Sequence, residues 1–240
     1  MILSYILCIE IERFSMLTRY NSLSIVLQKG FMWLIITAFF CMLSFKYIDL
    51  PVLLWVQETM GRFLHISWFI SNIGLKEWWI IIALIGITWG YIVIKIGKNE
   101  EDRIKGKNIR KNFLFMTSAM IFGALITQIF KTVIGRPRPE LYLQEQMYYP
   151  EFFTMTNNLL SFPSGHASLV WGGALSLSYI YPRICKIAII VATLVSLSRV
   201  AVSAHYLSDI VTGMYLGWFC TILIHYFFFG KNNELKNKSL

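Results

Sequence analysis

Charge is what this chain has least of. Only 15% of its 240 residues are Asp, Glu, Lys or Arg, and just 13 are acidic; a soluble domain carries roughly 25% charged residues. Proline is also scarce, at six residues. No Pro-, Gly- or Ser-rich linker and no internal repeat interrupts the chain, so one compact bundle is expected. Cys8, Cys41, Cys185 and Cys220 are scattered through apolar stretches without CxxC spacing. That excludes a recognisable disulfide framework or zinc site, and membrane-embedded thiols are expected instead. The first residues also lack a basic start and a small-residue cleavage site ahead of Glu10 and Glu12, so they do not read as a cleavable signal peptide.

What the chain has is apolar length. Its residues are 56% hydrophobic and its mean hydropathy is +0.58, in runs that are long and nearly uncharged rather than amphipathic. A helix crossing a bilayer needs about 20 such residues. Six segments meet or approach that length: 31–48, 76–96, 113–133, 165–181, 184–203 and 206–229. Between the first two, Trp55, Phe63, Trp68 and Phe69 alternate with Glu58, Arg62 and His65 over 49–75, which suggests an amphipathic helix lying at the interface. The expected fold is therefore all-α: a polytopic membrane bundle of six spans plus one interfacial helix. It divides into a cytoplasmic or interfacial segment 1–30, a membrane domain 31–230 and a cytoplasmic tail 231–240.

The formal charge of +9 matters less than its distribution. With the N-terminus inside, fifteen of the 22 basic residues fall on inner segments, most of them between Lys95 and Lys111 or near the two ends. That asymmetry predicts both termini in the cytoplasm. It also makes Lys98 to Lys111 a solvated loop rather than a nucleic-acid patch. The outer side holds few cations, yet Lys131, Arg136, Arg138 and Arg199 gather where the third and fifth spans end.

Those four cations belong to a larger convergence. The third span ends in "KTVIGRPRP", the fourth begins at "PSGH", and the fifth runs out through "SRVAVSAHYLSD". Alternating topology brings all three to one membrane face. Lys131, Arg138 and Arg199 beside hydrocarbon are costly unless an anion neutralises them. A phosphate would satisfy several at once, with arginine contributing forked donors. Ser164 and Gly165 supply a helix N-terminus with free amides, and Gly165 carries no side chain to block approach. His205 and Asp209 are spaced i, i+4, so on a continuous helix the carboxylate can hold Nδ1–H and leave Nε2 free to attack. His166, from another helix, can protonate the departing oxygen. Each element alone has a bland structural reading; their joint occurrence on one face does not.

The three blocks resemble the type 2 phosphatidic acid phosphatase superfamily, whose pattern is K-x6-RP, PSGH and SR-x5-H-x3-D. Here they are Lys131 to Arg138-Pro139, Pro163-Ser164-Gly165-His166, and Ser198-Arg199 with His205 and Asp209. The resemblance covers about residues 113–229 and the six-helix plan looks like its bacterial membrane branch. It implies phosphate binding by Lys131, Arg138, Arg199, Ser164 and the Gly165 amide. It further implies a phosphohistidine on His205, Asp209 as its orienting group, His166 as acid and then base, and no metal or other cofactor. Arg136 is not a motif position and is treated as an auxiliary contact.

A lipid phosphate is the expected partner, hydrolysed at the extracytoplasmic face of a bacterial inner membrane. The resemblance brings phosphatidylglycerophosphate, phosphatidate, undecaprenyl diphosphate and lipid A as candidates. Loop 140–160, with Tyr142, Tyr148, Tyr149, Phe152 and Phe153, is expected to cover the site and anchor at the interface. Three other readings remain. Phosphotransfer to a lipid hydroxyl differs only in the acceptor. A non-enzymatic anion transporter would place ionisable groups nearer the bilayer midplane. Haloperoxidase chemistry suits a lipid-embedded site poorly.

Overall fold

The computed structural model describes residues 23–59 and 64–230, and every regular element among them is helical. The helices are α1 (Leu23–Tyr47), α2 (Asp49–Thr59), α3 (Leu64–Ile73), α4 (Lys76–Ile96), α5 (Glu100–Ile134), α6 (Pro139–Glu145), α7 (Gly165–Ile180), α8 (Cys185–Ala201) and α9 (Leu207–His225). The expected segment 1–30 lies outside the described residues up to residue 22, and so does the tail 231–240. The first helix begins at Leu23, earlier than its apolar run suggested.

Among the described residues five stretches are long and apolar enough to cross a membrane, built on α1, α3–α4, α5–α6, α8 and α9. The expected span over 165–181 is α7, whose 16 residues fall short of the ~20 that a free-standing span needs. Among the described residues length alone supports five spans, and the sixth is not confirmed. The interfacial helix expected over 49–75 is two helices, α2 and α3. In α2 one face, Asp49, Leu53 and Val56, is buried against the protein, while Leu54 and Trp55 stay exposed.

Helix α5 also departs from expectation, since Glu100–Lys111 is helical rather than loop. The reason is local. The Asn99 side chain accepts the Asp102 amide at 2.9 Å, three acidic residues occupy the first turn, and Lys105 pairs with Glu101 at 2.8 Å. Each favours a helix start. At the other end Gly135 adopts φ 58°, the left-handed stop that glycine reaches without strain. A Cβ there would fall 1.8 Å from the Glu151 carbonyl oxygen, so this turn has room for glycine alone.

α7 sits at the centre, against α5, α8 and α9. Val170, Trp171 and Leu175 of α7 meet Met116 and Met120 of α5, Ile189, Ala192 and Val195 of α8, and Trp79 of α4. Trp171 places its indole N–H 3.1 Å from Ser196 Oγ, satisfying the ring's one polar atom. Lipid offers no hydrophobic penalty to drive helices together, so close packing must hold them. The small residues Gly213 and Gly217 of α9 provide it, bringing that helix against the backbone of Ser164 and Ser168. Outward, Ile81, Leu84, Ile85, Leu125, Ile129, Ile187 and Leu194 are exposed, an apolar belt that suits lipid.

Among the cysteines, Cys41 and Cys220 are free, but Cys185 is disulfide-bonded. This corrects the expectation of four thiols.

Candidate active site

The end of α5, the start of α7, the end of α8 and the start of α9 meet at one end of the bundle. Direct backbone bonds join them. The Ser164 amide donates to the Asp209 carbonyl at 3.0 Å, the Ser161 amide to Arg136 at 2.9 Å, and the Arg138 amide to Asn158 at 2.8 Å. Ser164 caps α7, its side chain accepting the Ala167 amide. Gly165 follows, and a Cβ there would touch only Lys131 and Thr127 at 3.8 and 3.9 Å. The α7 terminus and the lysine of α5 are therefore immediate neighbours.

The three motif cations share one property. Lys131 donates to the Leu160 carbonyl. Arg138 Nε donates to the Asn157 carbonyl at 3.2 Å. Arg199 donates to Ser71 Oγ at 2.5 Å, while its Nε is buried without a partner. All these acceptors are neutral. Among the described residues none of the three cations has a carboxylate within ion-pair distance. His166, in the first turn of α7, lies within electrostatic reach of Arg199, His205, Lys131 and Arg138. A pocket with this much unneutralised positive charge is built for an anion.

His205 and Asp209 are together, though not on one helix. α8 stops at Ala201 and Ser203 takes φ 54°, so His205 lies in the connection and α9 begins at Leu207. The Arg199 carbonyl accepts both the Ala204 amide at 3.0 Å and the His205 amide at 3.3 Å. His205 Nδ1 stands 3.6 Å from Asp209 Oδ2. That oxygen also accepts Ser161 Oγ at 2.6 Å and the Tyr206 amide at 3.0 Å. Ser161 Oγ in turn lies 3.4 Å from His205 Nδ1, so the serine sits between acid and imidazole. Sequence reasoning passed over Ser161. His205 is 3% exposed, and this burial pushes its imidazole down to about 4; Asp209 opposes the shift, while Lys131 and Arg199 reinforce it.

Arg136 behaves unlike its neighbours. Its guanidinium is 2% exposed and turned away from the cation pocket, toward two carboxylates: Asp209 Oδ1 at 2.7 Å and Asp49 Oδ2 at 2.9 Å. Its NH1 and NH2 groups are taken by these carboxylates, while Nε is buried with no partner among the described residues, so nothing in this geometry supports the expected role as an auxiliary phosphate contact. Asp49, at the head of α2, joins this network, and no motif marked it.

Helix α6 and the loop after it split the expected aromatic anchors. Tyr142 and Tyr148 pack inward, Tyr148 stacking on Phe45 with ring centres 4.5 Å apart. Its hydroxyl donates to the Phe45 carbonyl, and burial pushes that phenol up to about 12. Tyr149, Phe152, Phe153 and Met155 are exposed. A cavity of about 750 Å³ opens beside Tyr148, lined by Cys41, Phe45, Lys46, Arg136, Phe162 and Ser208 among others.

Comparison with known proteins follows this geometry. The lipid A 1-phosphatase of Rhizobium etli is 26% identical over 178 residues, which is 74% of this chain and 76% of that protein. The undecaprenyl-diphosphatase of Sulfolobus acidocaldarius is 29% identical over 119 residues, 49% of this chain and 55% of that one. A crystal structure of a transmembrane PAP2 type phosphatidylglycerolphosphate phosphatase from Bacillus subtilis shares the fold. Its TM-score is 0.58 at 20% identity, covering 83% of this chain and 94% of that chain. The sequence model of the PAP2 superfamily matches residues 112–233, the stretch that holds every cation and histidine of the site, and the chain belongs to that superfamily.

Proposed function

We propose that this membrane phosphatase hydrolyses a phosphate monoester or diphosphate of a lipid through a phosphohistidine on His205. The observation that carries the reading is the trio Lys131, Arg138 and Arg199, paired only with neutral acceptors among the described residues. A phosphoryl group is the partner their chemistry calls for, and the charge it develops during transfer is what such preset donors stabilise.

In the first step Nε2 of His205 attacks phosphorus, the P–O ester bond breaks, and His166 gives its proton to the departing oxygen. In the second step water attacks the phosphohistidine. The P–N bond breaks, His166 recovers a proton from the water, and phosphate leaves. Asp209 keeps Nδ1 as the protonated nitrogen, so that Nε2 carries the lone pair. Ser164 and the Gly165 amide join the three cations around the phosphoryl oxygens. The apolar belt and the exposed loop aromatics support a lipid substrate, and the names of the relatives point to a lipid A 1-phosphate or a polyprenyl diphosphate. The distribution of basic residues supports both termini in the cytoplasm and a site on the extracytoplasmic face of a bacterial inner membrane.

The test is phosphate release by the purified protein in detergent. The panel includes lipid A, undecaprenyl diphosphate, phosphatidate and phosphatidylglycerophosphate, each with and without a chelator. Release from at least one lipid, undiminished by chelator and absent in His205→Ala, is expected. Turnover by His205→Ala, or no release from any lipid phosphate, would defeat the reading.

A further inference from the structure

We propose that Arg136 and Asp49 are positioning residues for the reaction, clamping Asp209 so that it can direct His205. The inference rests on the reading that His205 is the nucleophile.

The two oxygens of Asp209 have separate duties. Oδ2 faces Ser161, the Tyr206 amide and His205. Oδ1 is bonded to Arg136 NH1 at 2.7 Å. Among the described residues no other donor holds Oδ1, so Arg136 fixes the plane of the carboxylate. The arginine is immobilised in turn. NH1 also donates to Ser208 Oγ at 2.7 Å and NH2 to Asp49 Oδ2 at 2.9 Å. Its flat face lies 4.0 Å from the centre of the Tyr206 ring. Arg136 and Arg138 are two residues apart and do opposite work, one bound to carboxylates and the other left for an anion.

Asp49 accounts for the sign of the local charge. Arg136 with Asp209 alone would form a neutral pair, and His205 would feel little of the carboxylate. With Asp49 included, one cation faces two anions, and the group carries a formal charge of −1 toward the imidazole. Asp49 is held for this by Ser44 Oγ at 2.8 Å, by the Ser208 amide at 3.1 Å and by Ser208 Oγ at 2.5 Å. Through it the α1–α2 turn, outside the stretch that carries the motifs, becomes part of the site.

The experiment compares Arg136→Gln, Arg136→Lys and Asp49→Asn with the parent enzyme and His205→Ala on one lipid phosphate. It reads kcat, KM, the inhibition constant of inorganic phosphate and the rate of phosphoenzyme formation in a single turnover. Outer-shell groups that orient a metal-ligating histidine cost about 10–100-fold when removed, and a loss of the same order is expected for groups orienting His205. Arg136→Gln and Asp49→Asn are expected to lose that much in kcat and in phosphoenzyme formation, with phosphate inhibition unchanged. Arg136→Lys, which keeps the charge and loses the fork, should recover part of the loss. If Arg136→Gln does not fold, Asp49→Asn decides. Full kcat in Asp49→Asn, or a loss confined to KM and phosphate inhibition, overturns the inference while His205→Ala stays inactive. Turnover in His205→Ala overturns the underlying reading instead.

Discussion

The Ser164 amide donates to the Asp209 carbonyl at 3.0 Å, joining the anion-facing end of α7 to the first turn of α9. The turn proposed to bind phosphate and the acid proposed to steer the nucleophile are thus joined directly through the backbone. Their spacing depends on Gly213, where a Cβ would lie 2.5 Å from the Ser164 carbonyl oxygen and 2.9 Å from Ala167 Cβ. Gly213→Ala must push the two helices apart. Overpacking of this kind costs about 1–3 kcal/mol, and here it also widens the site. Gly217→Ala crowds the Ser168 carbonyl oxygen just as closely, at 2.5 Å, but one turn further from the reaction. Both variants should melt at lower temperature in detergent. Only Gly213→Ala should lose most of its kcat, and equal kcat losses would show that the spacing at Ser164 is not special.

The two histidines are expected to separate by leaving group. His205→Ala removes the proposed nucleophile and should lower turnover by at least ~10³-fold on every substrate. His166→Ala removes the acid, a loss on the order of 10²–10⁴-fold. That loss should shrink markedly with p-nitrophenyl phosphate, whose departing phenolate needs no proton. Equal losses by His166→Ala on lipid and nitrophenyl substrates would remove its assignment as acid.

The cations should appear in binding. Replacing Arg199 by Met deletes charge-assisted hydrogen bonds worth about 1.5–3 kcal/mol, roughly 10–150-fold in the inhibition constant of inorganic phosphate. Lys131→Met should behave similarly. A phosphate inhibition constant that does not move in either variant would mean that the anion docks elsewhere.

His205 should remain neutral far into acid. Burial lowers its pKa to about 4, below the ordinary imidazole value near 6.5. The neutral, attacking form therefore persists through pH 5. The sign for stability follows. As pH falls from about 6.5 toward 4, the unfolded chain takes up a proton that the folded site refuses, so folding weakens across that window and levels off below it. Imidazole signals of ¹⁵N-histidine protein in micelles, compared with His205→Ala, would reveal this directly. A His205 midpoint near 6.5 would contradict it.

Much of the site was legible because its chemistry is written in short contiguous blocks. Lys131, Arg138, Ser164, Gly165, His166, Arg199, His205 and Asp209 all fall on segments that converge at one end. What was hidden depends on tertiary contact. Asp49 lies 87 positions from Arg136, and Ser161 lies 48 from Asp209; no periodicity links such pairs. Arg136 itself was visible, but an arginine facing carboxylates reads like an arginine awaiting phosphate until its partners are seen. The fold was legible in class and less so in count. α7 is enclosed by its neighbours, so a helix shorter than a full span suffices there. The head of α5 looked like loop because its helicity comes from capping and charge pairs rather than from an apolar stripe.

Tyr149, Phe152, Phe153 and Met155 form an exposed fringe beside the catalytic end. Such a rim suits the headgroup layer, where a lipid substrate would be met by lateral diffusion in a plane rather than through bulk water. If the proposed lipid phosphate is taken in that way, rates should track its mole fraction in the micelle, falling when inert detergent is added at constant total substrate, so that surface dilution rather than molarity sets the rate.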